Sequence, residues 1–375
     1  MGSTAPQSKL FEPLRIGPMK LSSRIAHAPL TRMRANDDHT IMPMAADYYS
    51  QRGCVPGTLL ISEATCISPA HSGYPNVPGI WSPEQIASWK SVVESVHKAG
   101  SYIYLQLWAL GRTANGDFKK SQNTGDVLAP SAIPLAKDGP APRAMTEEEI
   151  QQAIKDFAQA AKNAIEAGFD GVELHGANGY LIDQFFQDVT NSRTDKWGGS
   201  IENRARFGLE ATKAVVEAVG AQRTAIRLSP FSDFQGMRMS DPVPTFKYIV
   251  EQLRELKLAY LHLVTSRVSG GSNDVEETDT LDPFLEAYGK DSPVLLAGGF
   301  KADSARKAID EQYKDYDAAI VFGRLYIPNP DLVYRLKHDL ELTPYDRSTF
   351  YMPKSPKGYA DWPFSKEWEE EQSKL

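Results

Sequence analysis

Eight short runs rich in β-branched residues recur along the chain, and each is followed by a longer segment with helical periodicity. The runs span residues 24–30, 58–63, 102–107, 171–175, 224–229, 259–264, 293–297 and 318–322. Strands that alternate with helices form parallel sheets, because each strand returns through a helix that covers the sheet. Eight repeats predict an α/β fold, the (β/α)8 TIM barrel, whereas the main alternative, a doubly wound sheet, needs no eighth repeat.

The segments between the runs carry the signals with which helices begin and end. Ser82 and Gln85 match a capping box with Pro83 in the first turn, and Thr146 and Glu149 match a second one. Further helices are predicted over 201–219, 242–256, 303–311 and 330–340. These segments lie between the runs, as the barrel requires.

The length of the chain bears on its domain organisation. Its 375 residues would allow two or three domains, but barrels of this size commonly form one. We therefore predict a single domain over 1–375, with a core at about 10–345 and a C-terminal tail at 346–375. Extended loops follow the third run, at 108–145, and the sixth, at 265–282, and such loops commonly shape a substrate pocket.

Charge and composition exclude several classes of function. The chain has 41 Lys and Arg against 48 Asp and Glu, and this net charge of −7 disfavours sequence-independent binding of nucleic acid. No apolar run approaches the roughly 18 residues that a membrane-spanning helix needs. Two cysteines, Cys54 and Cys66, cannot form a disulfide framework or a four-cysteine zinc site. We expect a small-molecule substrate as the partner, with no nucleic acid and no membrane.

The chain ends in Ser373, Lys374 and Leu375, which match the address that directs proteins to peroxisomes. The receptor for this address reads only the extreme C-terminus, and the three residues stand there. The alternative is a polar tail without a targeting role. The match predicts a peroxisomal location, and a cytoplasmic one if the tripeptide is not read.

Glycines and an arginine follow the last two runs, at the strand ends where barrels place their chemistry. Gly298 and Gly299 follow the seventh run, and Gly323 and Arg324 follow the eighth. Glycine lets backbone N–H groups approach a ligand closely, and a guanidinium matches phosphate. The pattern predicts a phosphate site, with simple tight turns as the alternative. Because no GxGxxG motif follows the first run, we expect no Rossmann dinucleotide site.

Polar side chains also mark the middle strands. His175 and Asn178, at the end of the fourth run, can both donate to one ligand oxygen. Arg227 in the fifth run needs an anionic partner if it points into the barrel, and His262 in the sixth can line the barrel. The chain has no HExxH motif, and no metal site is predicted. The absence of a lysine at the strand ends counts against a Schiff-base aldolase.

Longer stretches, spread over about 10–363, resemble the old yellow enzyme family of flavin-dependent ene-reductases. They are APLTRMRA at 28–35, PGTLLISEAT at 56–65, LQLWALGR at 105–112, GFDGVELHGANGYLIDQF at 168–185, RTDKWGGSIENRARF at 193–207, LAGGF at 296–300, FGRLYIPNPDL at 322–332 and YDRSTFY at 345–351. Because so many motifs occur in one order, the resemblance is specific. It points to the classical fungal and plant branch, which includes yeast NADPH dehydrogenase and 12-oxophytodienoate reductase.

The resemblance implies a tightly bound FMN that is reduced by NADPH. Thr31 would bond the flavin carbonyl near the reactive nitrogen, Gln106 would bind the pyrimidine edge, and Arg227 would lie at the N1 end. That end of the flavin accumulates negative charge on reduction and would supply an anion for Arg227. The other expected cofactor contacts are Pro29, Leu30, Ala64, Gly298, Gly299, Gly323 and Arg324, with the last four at the phosphate.

The resemblance also implies reduction of the activated C=C bond of α,β-unsaturated carbonyl compounds, which are enones and enals, and of nitroolefins. His175 and Asn178 would hold the substrate oxygen as an oxyanion hole does, and Tyr180 would donate the proton. The rest of the pocket would come from Trp108, Tyr74, Phe234 and Tyr351. The family contains monomers and homodimers, so one of these two states is implied.

Three alternatives stay open on the sequence alone. Another FMN barrel, a dehydrogenase or oxidase of hydroxy acids, needs a histidine base elsewhere and usually lacks a tyrosine two residues after the asparagine. A metal-dependent barrel hydrolase would be a colourless protein with bound metal. A catalytically silent barrel would only bind its ligand.

Overall fold

The computed structural model describes residues 8–266 and 279–374. Its main sheet contains eight parallel barrel strands, which we number in chain order: β1 (Ile25–His27), β2 (Leu59–Ile61), β3 (Tyr102–Trp108), β4 (Gly171–Gly176), β5 (Thr224–Leu228), β6 (Tyr260–Val264), β7 (Val294–Ala297) and β8 (Ala318–Phe322). Each pairs in parallel with the next, and β8 pairs with β1. The sheet is therefore closed, and the predicted (β/α)8 TIM barrel is confirmed.

A helix follows each strand. The helices are α1 (Met44–Arg52), α2 (Pro83–Lys98), α3 (Glu147–Glu166), α4 (Ile201–Val219), α5 (Val243–Arg254), α6 (Asp282–Tyr288), α7 (Ala302–Lys307) and α8 (Leu332–Lys337). The two predicted capping boxes are present: Ser82 accepts from the N–H of Gln85 at α2, and Thr146 accepts from that of Glu149 at α3. Both caps satisfy N–H groups that a helix start leaves unpaired.

Three predicted elements end earlier than expected. β1 was predicted to reach residue 30 but stops at His27, and Pro29 has no N–H for a ladder. α7 stops at Lys307, where the backbone widens into a π-helical turn over Ala308–Gln312. α8 covers Leu332–Lys337 and not 330–340, because Asp339 adopts a left-handed φ of 53° that cannot continue a helix.

An N-terminal hairpin closes the bottom of the barrel. Its strands, Leu14–Ile16 and Met19–Leu21, pair antiparallel around a turn at Gly17. The buried hairpin side chains Leu14, Ile16, Met19 and Leu21 pack in one cluster with inward-facing residues of the barrel. Ligands therefore reach the barrel from its other end, where the strands terminate.

The longer connections and the tail lie at that other end. The loop after β3 contains a short helix, Gly116–Ser121, and a parallel strand pair, Leu128–Ala129 with Arg143–Ala144. Most of the predicted loop after β6 lies outside the described residues. In the tail, backbone carbonyls between 349 and 359 accept hydrogen bonds from three buried arginines, Arg32, Arg34 and Arg52.

The predictions about membrane spans and about targeting can be compared only with the described residues. Among residues 8–266 and 279–374, no helix is long and apolar enough to cross a membrane. Leu375, the last residue of the proposed peroxisomal address, lies outside the described residues, so targeting stays a prediction.

Candidate active site

A network of polar side chains occupies the barrel interior between β3 and β6. Gln106 stands in register with Glu173, and Arg227 in register with both His175 and His262. Gln106 donates from Nε2 to Glu173 Oε1 over 2.7 Å, and His262 Nδ1 lies 2.8 Å from Glu173 Oε2. Because a carboxylate only accepts, Nδ1 of His262 carries the proton. The predicted place of His262 in the barrel lining is confirmed.

Arg227 and Glu173 are the charged members of this network. Burial raises the pKa of Glu173, but His262, Arg227 and the bond from Gln106 together hold it below its ordinary value. Burial lowers the pKa of Arg227, and Glu173 opposes that change. Burial also lowers the pKa of His262, which keeps that ring neutral. The anion that the sequence argument requires for Arg227 is thus present in the protein itself, as Glu173.

Aromatic rings surround the mouth of the barrel above this network. The rings of His175 and Tyr180 meet edge to face with centroids 4.7 Å apart, and those of Trp108 and Tyr180 with centroids 4.9 Å apart. Tyr74 meets Trp108 at 5.7 Å. Four predicted substrate-site residues therefore form one cluster. Trp108, His175 and Tyr180 come from two strand ends, and Tyr74 comes from the loop after β2.

A tight turn after β4 positions Asn178 and Tyr180. Asn178 has a left-handed φ of 58°, and its N–H donates to Ser229 Oγ over 2.7 Å. The next N–H, of Gly179, donates to Asp183 Oδ2 over 2.8 Å. Tyr180 then caps the short helix Leu181–Phe186. The turn is fixed from both sides, and it holds Tyr180 against His175.

The two polar side chains of the cluster, His175 and Tyr180, are both in their neutral forms. Burial, followed by the charges of Arg227 and His262, lowers the pKa of His175 well below its ordinary value. Burial raises the pKa of the Tyr180 phenol, and Tyr74 adds to that rise. At neutral pH, His175 therefore offers an uncharged N–H, and Tyr180 retains its proton.

The glycine turns lie at the ends of β7 and β8, which are neighbouring strands. A Cβ on Gly298 would stand 2.0 Å from Thr265 Oγ1, so packing alone requires glycine there. Gly299 has a left-handed φ of 66°. A Cβ on Gly323 would meet only side-chain carbons, the nearest at 3.3 Å on Leu30. The predicted phosphate residues thus follow two neighbouring strands, and a side chain at Gly323 would crowd Leu30.

The donors at the mouth fit a flavin. Within the described residues, Arg227 Nε and His175 Nδ1 are buried without a hydrogen-bond partner. Pro29 and Ala64, which follow β1 and β2, are buried, while Leu30 and Thr31 are half-buried. A flat ring with acceptor atoms on its edge satisfies such donors, and the glycine turns suit its phosphate.

Two predicted pocket residues lie farther out. Tyr351 is 55% exposed on the C-terminal segment, yet it lies close enough to Tyr180 to raise that phenol's pKa. Phe234 is half-buried in the turn after β5, and its carbonyl oxygen lies near Gly179.

Sequence reasoning missed two residues of this site. Glu173 could have been found, because it stands two positions before His175 on one strand and so faces the same side. Gln235, whose amide bonds the carbonyl of Asn178 over 3.0 Å, gives no sequence signal because a loop brings it there.

Comparison with known proteins agrees with this geometry. The family described as NADH:flavin oxidoreductase / NADH oxidase matches residues 9–343. A chanoclavine-I aldehyde reductase of Penicillium roqueforti is 57% identical over 362 residues, covering 96% of this chain and 98% of that protein. An aldehyde reductase of Cladobotryum is 51% identical over 367 residues, covering 98% and 97%.

Solved structures extend the comparison to the fold. The crystal structure of Old Yellow Enzyme from Pichia superposes with a TM-score of 0.88 at 40% identity, and the match covers 96% of this chain and 94% of that one. The family match sets aside a metal-dependent hydrolase. The chain belongs to the NADH:flavin oxidoreductase / NADH oxidase family and is an oxidoreductase of the old yellow enzyme type, with a flavin and a nicotinamide as its cofactors.

Proposed function

We propose that this enzyme is an FMN-dependent ene-reductase that takes its electrons from NADPH and saturates the activated C=C bond of enones and enals. The observation that carries the proposal is the edge-to-face contact of His175 and Tyr180 at the mouth of the barrel. It sets a neutral hydrogen-bond donor beside a protonated phenol. Two similar proteins are named aldehyde reductases, which supports a substrate that carries a carbonyl group.

FMN, when bound, supplies hydride to the β-carbon of the substrate after reduction by NADPH. Thr31, Gln106 and Arg227 hold its ring edge in this proposal, and Pro29, Leu30 and Ala64 line it. Gly298, Gly299, Gly323 and Arg324 hold its phosphate. Arg227 is a fixed positive charge in a buried network, so it favours negative charge at the edge it faces.

His175 and Asn178 hold the substrate's carbonyl oxygen. Negative charge develops on that oxygen as the enolate forms, and donors fixed in advance stabilise it without reorganisation. The neutral state of His175 suits this role, because an N–H donor stabilises an enolate oxygen and does not need to give up its proton.

Tyr180 delivers the proton to the α-carbon. Its pKa lies above its ordinary value of 10, so the phenol is protonated throughout the physiological range. A hydroxy-acid dehydrogenase needs a group that removes a proton, and neither Tyr180 nor His175 has the pKa of an effective base. The two donors therefore favour reduction of a double bond.

The spectrum of the purified protein tests this proposal. We expect a yellow protein whose flavin absorbance is bleached by NADPH and restored by cyclohexenone in the absence of oxygen. Lactate serves as the matched hydroxy-acid probe and should leave the spectrum unchanged. A colourless protein, or a flavin bleached by lactate and not restored by cyclohexenone, would contradict the proposal.

A further inference from the structure

Gln184 is a fully buried amide on the short helix Leu181–Phe186. Its Oε1 accepts from the N–H of Arg112 over 3.0 Å, and its Nε2 donates to the carbonyl oxygen of Leu110 over 3.1 Å. The same Nε2 donates to the carbonyl oxygen of Gly179 over 2.7 Å. Because carbonyls only accept and a backbone N–H only donates, these three bonds settle the orientation of the amide. One side chain thus ties the segment that follows β3 to the turn that follows β4.

The segment after β3 is shaped to receive this amide. Gly111 stands between the two residues that Gln184 binds there, and it has a left-handed φ of 62°. A Cβ on Gly111 would lie 2.1 Å from Gln184 Oε1, so a side chain at this position would displace the amide. Next to it, the N–H of Leu181 donates to the carbonyl oxygen of Ala109 over 3.0 Å. The two segments are therefore joined by hydrogen bonds and not by apolar packing alone.

These bonds fall on the two peptide groups that flank Tyr180. Gln184 binds the carbonyl of the peptide that leads into Tyr180, and Ala109 binds the N–H of the peptide that leads out of it. The ring of Tyr180 meets that of Trp108, the residue before Ala109, with centroids 4.9 Å apart. Because both flanking peptides are bound to the segment that starts at Trp108, the tyrosine ring is held at a fixed place beside it.

The rest of the turn after β4 has its own anchors. The N–H of Asn178 donates to Ser229 Oγ over 2.7 Å, and the N–H of Gly179 donates to Asp183 Oδ2 over 2.8 Å. Loss of the Gln184 amide would leave both bonds in place and, within the turn, would free only the Gly179 carbonyl. The effect should therefore fall on the residue that follows Gly179, while Asn178 keeps its place.

We propose that Gln184 is a positioning residue: its amide holds the turn after β4 against the segment after β3 and so keeps the Tyr180 hydroxyl at the α-carbon of the bound substrate. The inference rests on the proposed role of Tyr180 as the acid. In that step the O–H bond of Tyr180 breaks, a C–H bond forms at the α-carbon of the enolate, and the phenolate left behind takes a proton from solvent. Alignment decides its rate, because a misplacement of about 1 Å can cost about a hundredfold.

Gln184→Met tests the inference, because methionine keeps the length of the side chain and removes its donors and its acceptor. Reoxidation of the reduced flavin by cyclohexenone should slow about ten- to a hundredfold, while bleaching by NADPH stays near the wild-type rate. The solvent deuterium isotope effect on reoxidation should increase, because transfer of the proton becomes slower. A loss of stability alone would not change that isotope effect. Normal reoxidation, or slow reoxidation with the wild-type isotope effect, would overturn the inference.

Gln184→Glu is the milder variant, and it decides the question if the methionine variant does not fold. Its carboxyl keeps the shape of the amide and an acceptor for the N–H of Arg112, but it supplies at most one of the two donated bonds. Retained FMN shows that the variant is folded. Reoxidation should again be slow with a larger isotope effect, and wild-type values of both would contradict the inference.

A double-mutant cycle separates this inference from the proposed function. In a Tyr180→Phe background there is no hydroxyl to position, so Gln184→Met should slow reoxidation no further. If Tyr180→Phe alone reoxidises normally, the proposed acid is wrong and the inference falls with it. If Tyr180→Phe is slow and Gln184→Met slows it again by the full factor, the acid stands and the inference alone falls.

Asn191→Leu is the matched control. Asn191 is a buried amide just beyond the same helix, and like Gln184 it donates to two backbone carbonyls and accepts from one backbone N–H. Its partners lie outside the turn after β4 and are Phe185, Trp197 and Arg193. We expect lower thermal stability in this variant, with the rate of reoxidation and its isotope effect as in the wild type. The same selective slowing here would show that any lost bond near this helix suffices, contrary to the inference.

Discussion

The barrel interior has two unlike halves. On β3 to β6, a polar wall lines the interior and consists of Gln106, Glu173, His175, Arg227 and His262. The same strands also add Tyr104, Ala225, Tyr260 and Val264 to the hydrophobic cluster inside the barrel. Apolar residues on β7, β8, β1 and β2, together with Ala28 just after β1, form an apolar wall, which consists of Leu295, Ala297, Ala319, Val321, Ala26, Ala28, Leu59 and Ile61. The two walls line the same space, yet only the first carries groups that can hold charge or move a proton.

The walls also differ in what stabilises them. Polar groups without solvent need partners, and on the polar wall Glu173 receives bonds from both Gln106 and His262. The apolar wall needs no such pairing. Several of its residues are alanine, and small side chains leave room for a flat ring at the mouth. The polar wall therefore sets the charge and orientation of groups in the site, while the apolar wall sets its width.

The contrast continues beyond the strand ends. The polar wall leads to His175, Asn178 and Tyr180, and the apolar wall leads to the glycine turns and Arg324. We expect substitutions on the first side to change the chemical step and substitutions on the second to change retention of the cofactor. The three predictions below test this division.

Tyr180→Phe should have the largest effect. Acid catalysis by a positioned group contributes roughly 10²–10⁴-fold, so reoxidation by cyclohexenone should slow within about that range. Cofactor content and bleaching by NADPH should not change, because the ring remains in place. Nitroolefins should be affected less, because their nitronate product can leave and take a proton from water. Equal loss in both half-reactions would instead assign Tyr180 a structural role.

Glu173→Gln tests the polar wall by leaving Arg227 without its nearby anion. Removing one member of a buried charged pair is strongly destabilising, so the free energy of unfolding should fall by about 3 kcal/mol. The pKa of Glu173 is lower in the fold than its ordinary 4.5. The contribution of ionised Glu173 to the free energy of unfolding is therefore complete above pH 4.5 and is lost as pH falls through the pKa of Glu173 in the folded protein. The difference between the two proteins, measured by denaturant unfolding, should shrink below pH 4.5.

Ile61→Val is the matched control on the apolar wall. Ile61 is fully buried, and the loss of one methylene should cost about 0.5–1.5 kcal/mol. Because no titrating group is removed, this loss should be the same at every pH. If the variant at Glu173 showed the same pH-independent loss, the two walls would not differ in electrostatic support.

The repeating pattern of the sequence was enough to predict the barrel. Eight strands and eight helices have the order that the patterns indicate, since hydrophobic periodicity and capping residues act locally. Strand ends were harder to place. Pro29 falls within the first predicted run and lies beyond the end of β1, which the pattern of β-branched residues did not indicate.

The site was predictable where residues act from strand ends. His175, Tyr180 and Trp108 meet as expected, because parallel strands end at one face of a barrel. Gln235 was not predictable, because its contact with Asn178 depends on how two loops fold against each other. The sequence argument looked to the cofactor for an anion beside Arg227 and did not consider Glu173, which stands on the adjacent strand.

Arg324→Ala should have the smallest effect of the three, and it should appear on the cofactor side of the division. If Arg324 binds the phosphate, one charge-assisted bond is lost and FMN affinity should fall about ten- to a hundredfold.

Arg347→Ala is the matched control: the guanidinium of each residue lies near the ring of Tyr345, at 5.8 Å for Arg324 and 5.9 Å for Arg347, but only Arg324 follows β8. Flavin fluorescence released on dilution measures retention in both variants. Once each is reloaded with FMN, the rate of reoxidation by cyclohexenone should equal that of the wild type, because the polar wall is intact. Equal retention in the two variants would remove Arg324 from the phosphate site, and slow reoxidation in reloaded Arg324→Ala would show that the two sides of the mouth do not act separately.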